Sequence, residues 1–96
     1  MSNVNVTLGS GYCNVTTVGL SDCDTDDRGT LGLHEAAYRS WPAASAACFA
    51  RCEECQRCRF VSLSRHWKDC SWFSACDLSS LHQSPSGFRT AVVSPG

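Results

Sequence analysis

Ninety-six residues carry a net charge of −1. That length bounds one domain, and that charge excludes a chain built to seek nucleic acid or an anionic membrane. No apolar run reaches the 18 or so residues a spanning helix needs. Leu, Val and Phe total 18 residues and Ile is absent, so the core is lean, whereas eight cysteines are present, an even number as full pairing requires.

Residues 1–20 alternate weakly in "NVNVTL" and "YCNVTTVGL", where Val and Thr favour strand. The opening "MSNVNVTLGSGYC" has neither the basic nor the apolar region of a signal peptide. A disulfide reading therefore expects that a targeting segment has been removed, or that this is an excised piece behind a start Met. Residues 21–30, "SDCDTDDRGT", read as an acidic polar loop, and "LGLHEAAYRS" (31–40) as either a strand or a helical turn. A helix is predicted over 42–56, with Pro42 suited to its first turn and "AASAACFARCEECQ" rich in good helix formers. "CRFVSLS" (58–64) reads as a strand with Phe60, Ser62 and Ser64 on one face and Val61 and Leu63 on the other. "RHWKD" is a turn. "CSWFSAC" (70–76) is a second strand, antiparallel to the first because the link is short. Residues 77–87 form a Ser-rich loop, and "FRTAVV" (88–93) closes the chain as a strand.

The densest chemistry is "CFARCEECQRC", four cysteines from Cys48 to Cys58. At about 100° per helical residue, Cys48, Cys52 and Cys55 share one helix face, and Cys58 falls near the helix end. Zinc needs two knuckles of C-x2-C type. Cys52 and Cys55 make one, but Cys70-x5-Cys76 is too wide for the second. An iron–sulfur run of this spacing lacks its fourth ligand, and a thioredoxin-like site lacks its βαβ context. Disulfides account for all eight thiols and supply the stability that the core lacks. Eight cysteines allow 105 pairings, which spacing alone leaves open.

"CFARCEECQRCRFVSLSRHWKDCSWF" and the later "SGFRTAVV" resemble the PAN/apple family, which includes the N-terminal module of hepatocyte growth factor and the apple repeats of coagulation proteases. The shared pattern is a helix carrying C-x3-C, a Cys that opens a strand, a hairpin, and a further Cys followed by aromatics. The resemblance covers about half the chain, residues 43–93 with gaps. It implies one α+β domain over 1–96, with a small antiparallel sheet cradling one helix and disulfides stapling the two together. It also implies the pairs Cys48–Cys70 and Cys52–Cys58. Of the four remaining cysteines, Cys55 is expected to reach Cys76 on the second strand, with a local Cys13–Cys23 bridge. Apple repeats instead tie their termini together, which here favours Cys13–Cys76. "SLSRHWKDCSWF" is also similar to cysteine-rich modules of dinoflagellates and other algae.

Other constellations are weaker. Asp22, Asp24 and Asp26 begin like a calcium loop, but Asp27 and Leu33 stand where an EF-hand needs Gly and a bidentate Glu, so a solvated loop is expected. His34, His66 and His82 are scattered, and no catalytic residue, metal or cofactor is assigned. Arg51, Arg57, Arg59, Arg65 and Lys68 cluster within 18 positions, whereas the first 35 residues hold five acids against one Arg. A bipolar surface follows, and the resemblance makes a sulfated or acidic glycan a conceivable partner. Arg65, His66, Trp67, Lys68 and Trp72 are the expected partner-binding residues. Asn5-Val6-Thr7 and Asn14-Val15-Thr16 are N-x-T sequons, relevant only in the secretory pathway. The expected function is a non-catalytic module that binds a protein or glycan, outside the cell or in an oxidising lumen. A second expectation is an accessory subunit of a larger lumenal assembly, such as the lumenal side of an algal photosynthetic membrane complex. A zinc module in a reducing compartment is the third.

Overall fold

The computed structural model describes residues 9–16 and 22–93. Of the strand-favouring stretch 1–20, residues 1–8, with the sequon at Asn5, and residues 17–20 lie outside the described residues.

Ser40 starts the helix. Its backbone is extended, and its hydroxyl accepts from the Ala43 amide at 3.1 Å, with Pro42 in the first turn. Helix α1 runs Trp41–Glu53, stopping short of the expected residue 56, and buries Ala44, Cys48, Phe49 and Cys52. A 3₁₀ turn over Glu35–Arg39 precedes it and resolves the ambiguous 31–40 stretch. His34 Nδ1 accepts from the Ala36 amide at 3.3 Å, and Tyr38 is buried.

The strands are β1 (Gly9–Ser10), β2 (Arg28–Thr30), β3 (Phe60–Ser64), β4 (Asp69–Phe73) and β5 (Arg89–Val92). They form one antiparallel sheet in the order β1-β5-β3-β4-β2. The fold is thus α+β, with one α-helix against a five-stranded sheet among the described residues. Strand β2 corrects the all-loop expectation for 21–30. It has only three residues, with Gly29 opposite Trp72, so its sequence carries no β signal of its own.

Register sorts the side chains between two faces. Val61 pairs with Trp72 and Ala91, and Leu63 with Cys70. These residues face α1 and, with Cys48 and Phe49, make the core. The opposite face carries Ser62, Ser71 and Thr90 in register. All three are buried, although their polarity suggests a wet surface. What covers them is the strap at residues 9–16.

The strap is held by a directed hydroxyl chain. Thr90 Oγ1 donates to the Gly11 carbonyl at 2.8 Å, so at the 2.7 Å contact between Ser62 Oγ and Thr90 Oγ1 the donor is Ser62. Ser62 Oγ in turn accepts from the Cys13 amide at 2.9 Å. Ser71 donates to Asp69 Oδ1 at 2.6 Å, which leaves Thr16 as donor to Ser71 at 2.8 Å. Backbone bonds add to this: Gly11 donates to Phe88, and Tyr12 and His82 exchange a pair at 3.0 and 2.9 Å.

All eight cysteines are bridged: Cys13–Cys76, Cys23–Cys55, Cys48–Cys70 and Cys52–Cys58. The last two are the pairs that the family resemblance implies. The pairs Cys55–Cys76 and Cys13–Cys23 do not form. Because α1 ends at Glu53, Cys55 leaves the helical phase that would aim it at the sheet, and it turns to the acidic loop. Arg57 pins that same loop, its amide donating to the Cys23 carbonyl at 3.1 Å and its guanidinium to the Asp26 carbonyl at 2.8 Å and to Asp27 Oδ1 at 2.5 Å.

Candidate functional site

The β3–β4 hairpin turns through Arg65–Lys68, with Lys68 at φ 53°, a left-handed conformation that non-glycine residues adopt at tight turns. Ser64 Oγ accepts from the Trp67 amide at 3.0 Å and sets the turn. Arg65 then fastens it to the 3₁₀ segment, donating to the Tyr38 carbonyl at 2.9 Å and to the Arg39 carbonyl at 2.6 Å.

Trp67 stands at the tip and is 53% exposed. Its position is nonetheless fixed: Nε1 donates to the Ser86 carbonyl at 3.1 Å, and the His66 ring meets it edge-on at 4.8 Å. Beside it opens a groove of about 520 Å³, walled by Leu31, Leu33, Tyr38, Trp67, Lys68 and Asp69, among others. The groove exists because the chain diverges from β4 after Thr30 and climbs toward the 3₁₀ turn. Leu31 still donates to the Cys70 carbonyl at 2.7 Å, and beyond it the two segments separate.

A salt bridge joins the two walls, from Lys68 Nζ to Glu35 Oε1 at 2.5 Å. The hydrogen bond from Lys68, and then its charge, hold the Glu35 carboxyl below the usual carboxylate range. Burial pushes the Tyr38 hydroxyl up, and the Asp69 carboxylate adds to that. The site thus offers an aromatic rim, an apolar floor from Leu31 and Leu33, and paired charges at one side.

The expected partner-binding residues divide. Trp67 and Lys68 line the groove, His66 is exposed beside Trp67, and Arg65 is spent on positioning the tip. Trp72 is placed differently: at 0% exposure it sits in the core facing α1, two residues along β4 from Cys70, and not on the surface. The other wall, Leu31, Leu33, Glu35 and Tyr38, was not expected. It lies in the one stretch whose secondary structure the sequence left ambiguous.

The basic residues do not form an open patch. Arg51 donates to the Gly32 carbonyl at 2.7 Å, Arg57 is bound to the acidic loop, and Arg59 donates to the Gln56 carbonyl at 3.1 Å. With Arg65 and Lys68 also engaged, every member of the cluster has an intrachain acceptor. The acidic loop is stapled beside Arg57, so the two charged regions meet there. In that loop the Asp22 and Asp26 carboxylates accept from the loop's own Asp24 and Asp22 amides, at 2.7 and 2.6 Å. The four bridges leave no cysteine thiolate to hold zinc. His34 caps the 3₁₀ turn and His82 stacks on Tyr12, so neither shares a site with His66. No helix of the described residues is long and apolar enough to cross a membrane.

No protein-family model, curated protein or solved structure matches this chain.

Proposed function

We propose that this chain is a PAN/apple-like, non-catalytic interaction module that binds a protein partner through the groove beside the hairpin tip. The carrying observation is Trp67, more than half exposed yet fixed by its Ser86 hydrogen bond and the His66 ring. Aromatic anchors dominate protein interfaces, and an anchor already held in place loses little side-chain entropy on binding. A sulfated glycan is the weaker ligand class, because each basic side chain of the cluster is already engaged. Four disulfides are formed in an oxidising compartment. The reading places the module outside the cell or in a lumen, secretory or thylakoid.

The test compares Trp67→Ala with Trp67→Phe in affinity recovery from the native source, each variant first checked for four bridges and an unchanged melting temperature. The same partner, retained by Trp67→Phe and lost by Trp67→Ala, supports the reading. Equal recovery by both variants and the parent refutes it.

A second reading, an accessory subunit of a larger lumenal assembly, draws on the further exposed apolar side chains Val15, Leu78 and Val92. A stoichiometric complex that survives size exclusion and persists in Trp67→Ala would favour it.

A further inference from the structure

We infer that Asn14 is an N-glycosylation site, an inference resting on the secretory form of the reading above. The motif Asn14-Val15-Thr16 is short, and a motif alone carries little. The folded chain adds three independent facts.

The first is access. Asn14 and Val15 are exposed, and they lie on irregular backbone just past Cys13. Asn14 Oδ1 accepts from the Val15 amide at 2.8 Å, and among the described residues its Nδ2 has no protein partner. A group attached at Nδ2 therefore displaces no hydrogen bond among the described residues.

The second is timing. In the finished fold Thr16 Oγ1 is tied to Ser71 Oγ, and Cys13 is tied to Cys76. A transferase must engage both the amide and the hydroxyl of the sequon, so transfer has to precede docking of the strap. The pairing observed here allows that. Cys76 follows Cys13 by 63 residues and Ser71 follows Thr16 by 55. At roughly 5–20 residues per second of synthesis, the strap stays open for about 3 to 13 s. A local bridge to Cys23 would have closed next to the sequon almost at once. The long-range bridge removes that competition.

The third is compatibility. The strap lies on the sheet face opposite α1, whereas Trp67 and Tyr38 form the groove beside the 3₁₀ turn. Asn14 is not among the residues that line the groove, and it adjoins Val15, at 61% the most exposed large apolar side chain among the described residues.

The chemistry balances as a group transfer from a lipid pyrophosphate-linked oligosaccharide. Asn14 Nδ2 forms a bond to the anomeric carbon, the bond from that carbon to the pyrophosphate oxygen breaks, and Nδ2 loses one proton. No redox partner is needed.

The test is made on the full chain recovered from its own cells. Intact mass is measured under non-reducing conditions before and after peptide N-glycosidase in heavy-oxygen water, followed by peptide mapping. A fall in mass with an isotope label at position 14 is the expected result. Mapping separates this site from Asn5. Asn14→Gln is expected to abolish the heavier form and Thr16→Ser to keep it. A four-bridged protein with no label at position 14 overturns the inference. If that protein still loses its partner on Trp67→Ala, the functional reading stands; a labelled Asn14 with partner recovery indifferent to Trp67 is the reverse case.

Discussion

Removing the Ser62 hydroxyl tests how much the buried polar chain adds to the backbone bonds and the disulfide that also hold the strap. Ser62→Ala deletes a group that is 1% exposed, accepts from the Cys13 amide and donates to Thr90. The lost volume is small, so the cavity contribution is minor. The main cost is a Cys13 N–H left without an acceptor under the strap. An unsatisfied buried donor costs about 1–3 kcal/mol. Because the Cys13–Cys76 bridge keeps the strap close whether or not it is docked, we expect about 2 kcal/mol. For a domain of this size that lowers the melting temperature by about 8–16 °C. Thr90→Val, which strips the donor to the Gly11 carbonyl, completes a double-mutant cycle. The coupling should exceed about 0.5 kcal/mol, as for contacting members of one network. Amide exchange gives the local readout: Cys13 and Gly11 should lose protection while Leu63 and Trp72 keep it. A Ser62→Ala protein within about 0.5 kcal/mol of the parent, with Cys13 still protected, would refute the argument and leave the strap to its backbone bonds and its disulfide.

Trp72→Ala should cost about 3–5 kcal/mol, the usual range for deleting a buried large aromatic, whereas Trp67→Ala should stay within about 0.5 kcal/mol of the parent; urea unfolding measures both, and comparable costs would contradict their assigned places. Gly11 has φ +111°, and a Cβ there would meet the His82 carbonyl at 2.8 Å and Leu81 Cβ at 2.8 Å. Gly11→Ala should therefore detach the strap, seen as lost protection at Tyr12 and Cys13, and full protection would count against that packing. Asp27 is held below its ordinary 3.8 by the hydrogen bond from Arg57, then that from Ser74, then the Arg57 charge. Its folded pKa is depressed, so its contribution to stability is present above the unfolded value and lost as pH falls through the folded one. Carboxyl titration by NMR should place the Asp27 midpoint below 3.8 and return it toward 3.8 in Arg57→Ala; an unmoved midpoint would dismiss the pair.

The helix, the central hairpin and the closing strand are legible because their signals are local. Ser40 and Pro42 announce α1, and "CRFVSLS" alternates at the strand period. Two bridges follow from the family-like placement of Cys48, Cys52, Cys58 and Cys70. What stays hidden is set by distant partners. Cys55 is misplaced when helical phase is carried past Glu53, one residue before the cap at Glu54. Strand β2 exists only because Phe73, Trp72 and Ser71 pair with it. The serines of β3 and β4 look solvent-facing until the strap covers them. For the groove, one wall is readable in "RHWK". The other depends on how "LGLHEAAYR" bends away from β4, which tertiary packing decides.

The covalent net has a gap with a consequence for durability. The Cys13–Cys76 bridge spans the other three, so one proteolytic cut anywhere between those residues leaves a single molecule. Beyond Cys76 no bridge remains, yet β5 lies inside the sheet, between β1 and β3. The exposed Ser- and Pro-containing segment 82–87 leads directly to it. A nick there frees an interior strand held by hydrogen bonds and packing alone. Lifetime among proteases is therefore governed by that short segment rather than by the cysteine-rich centre.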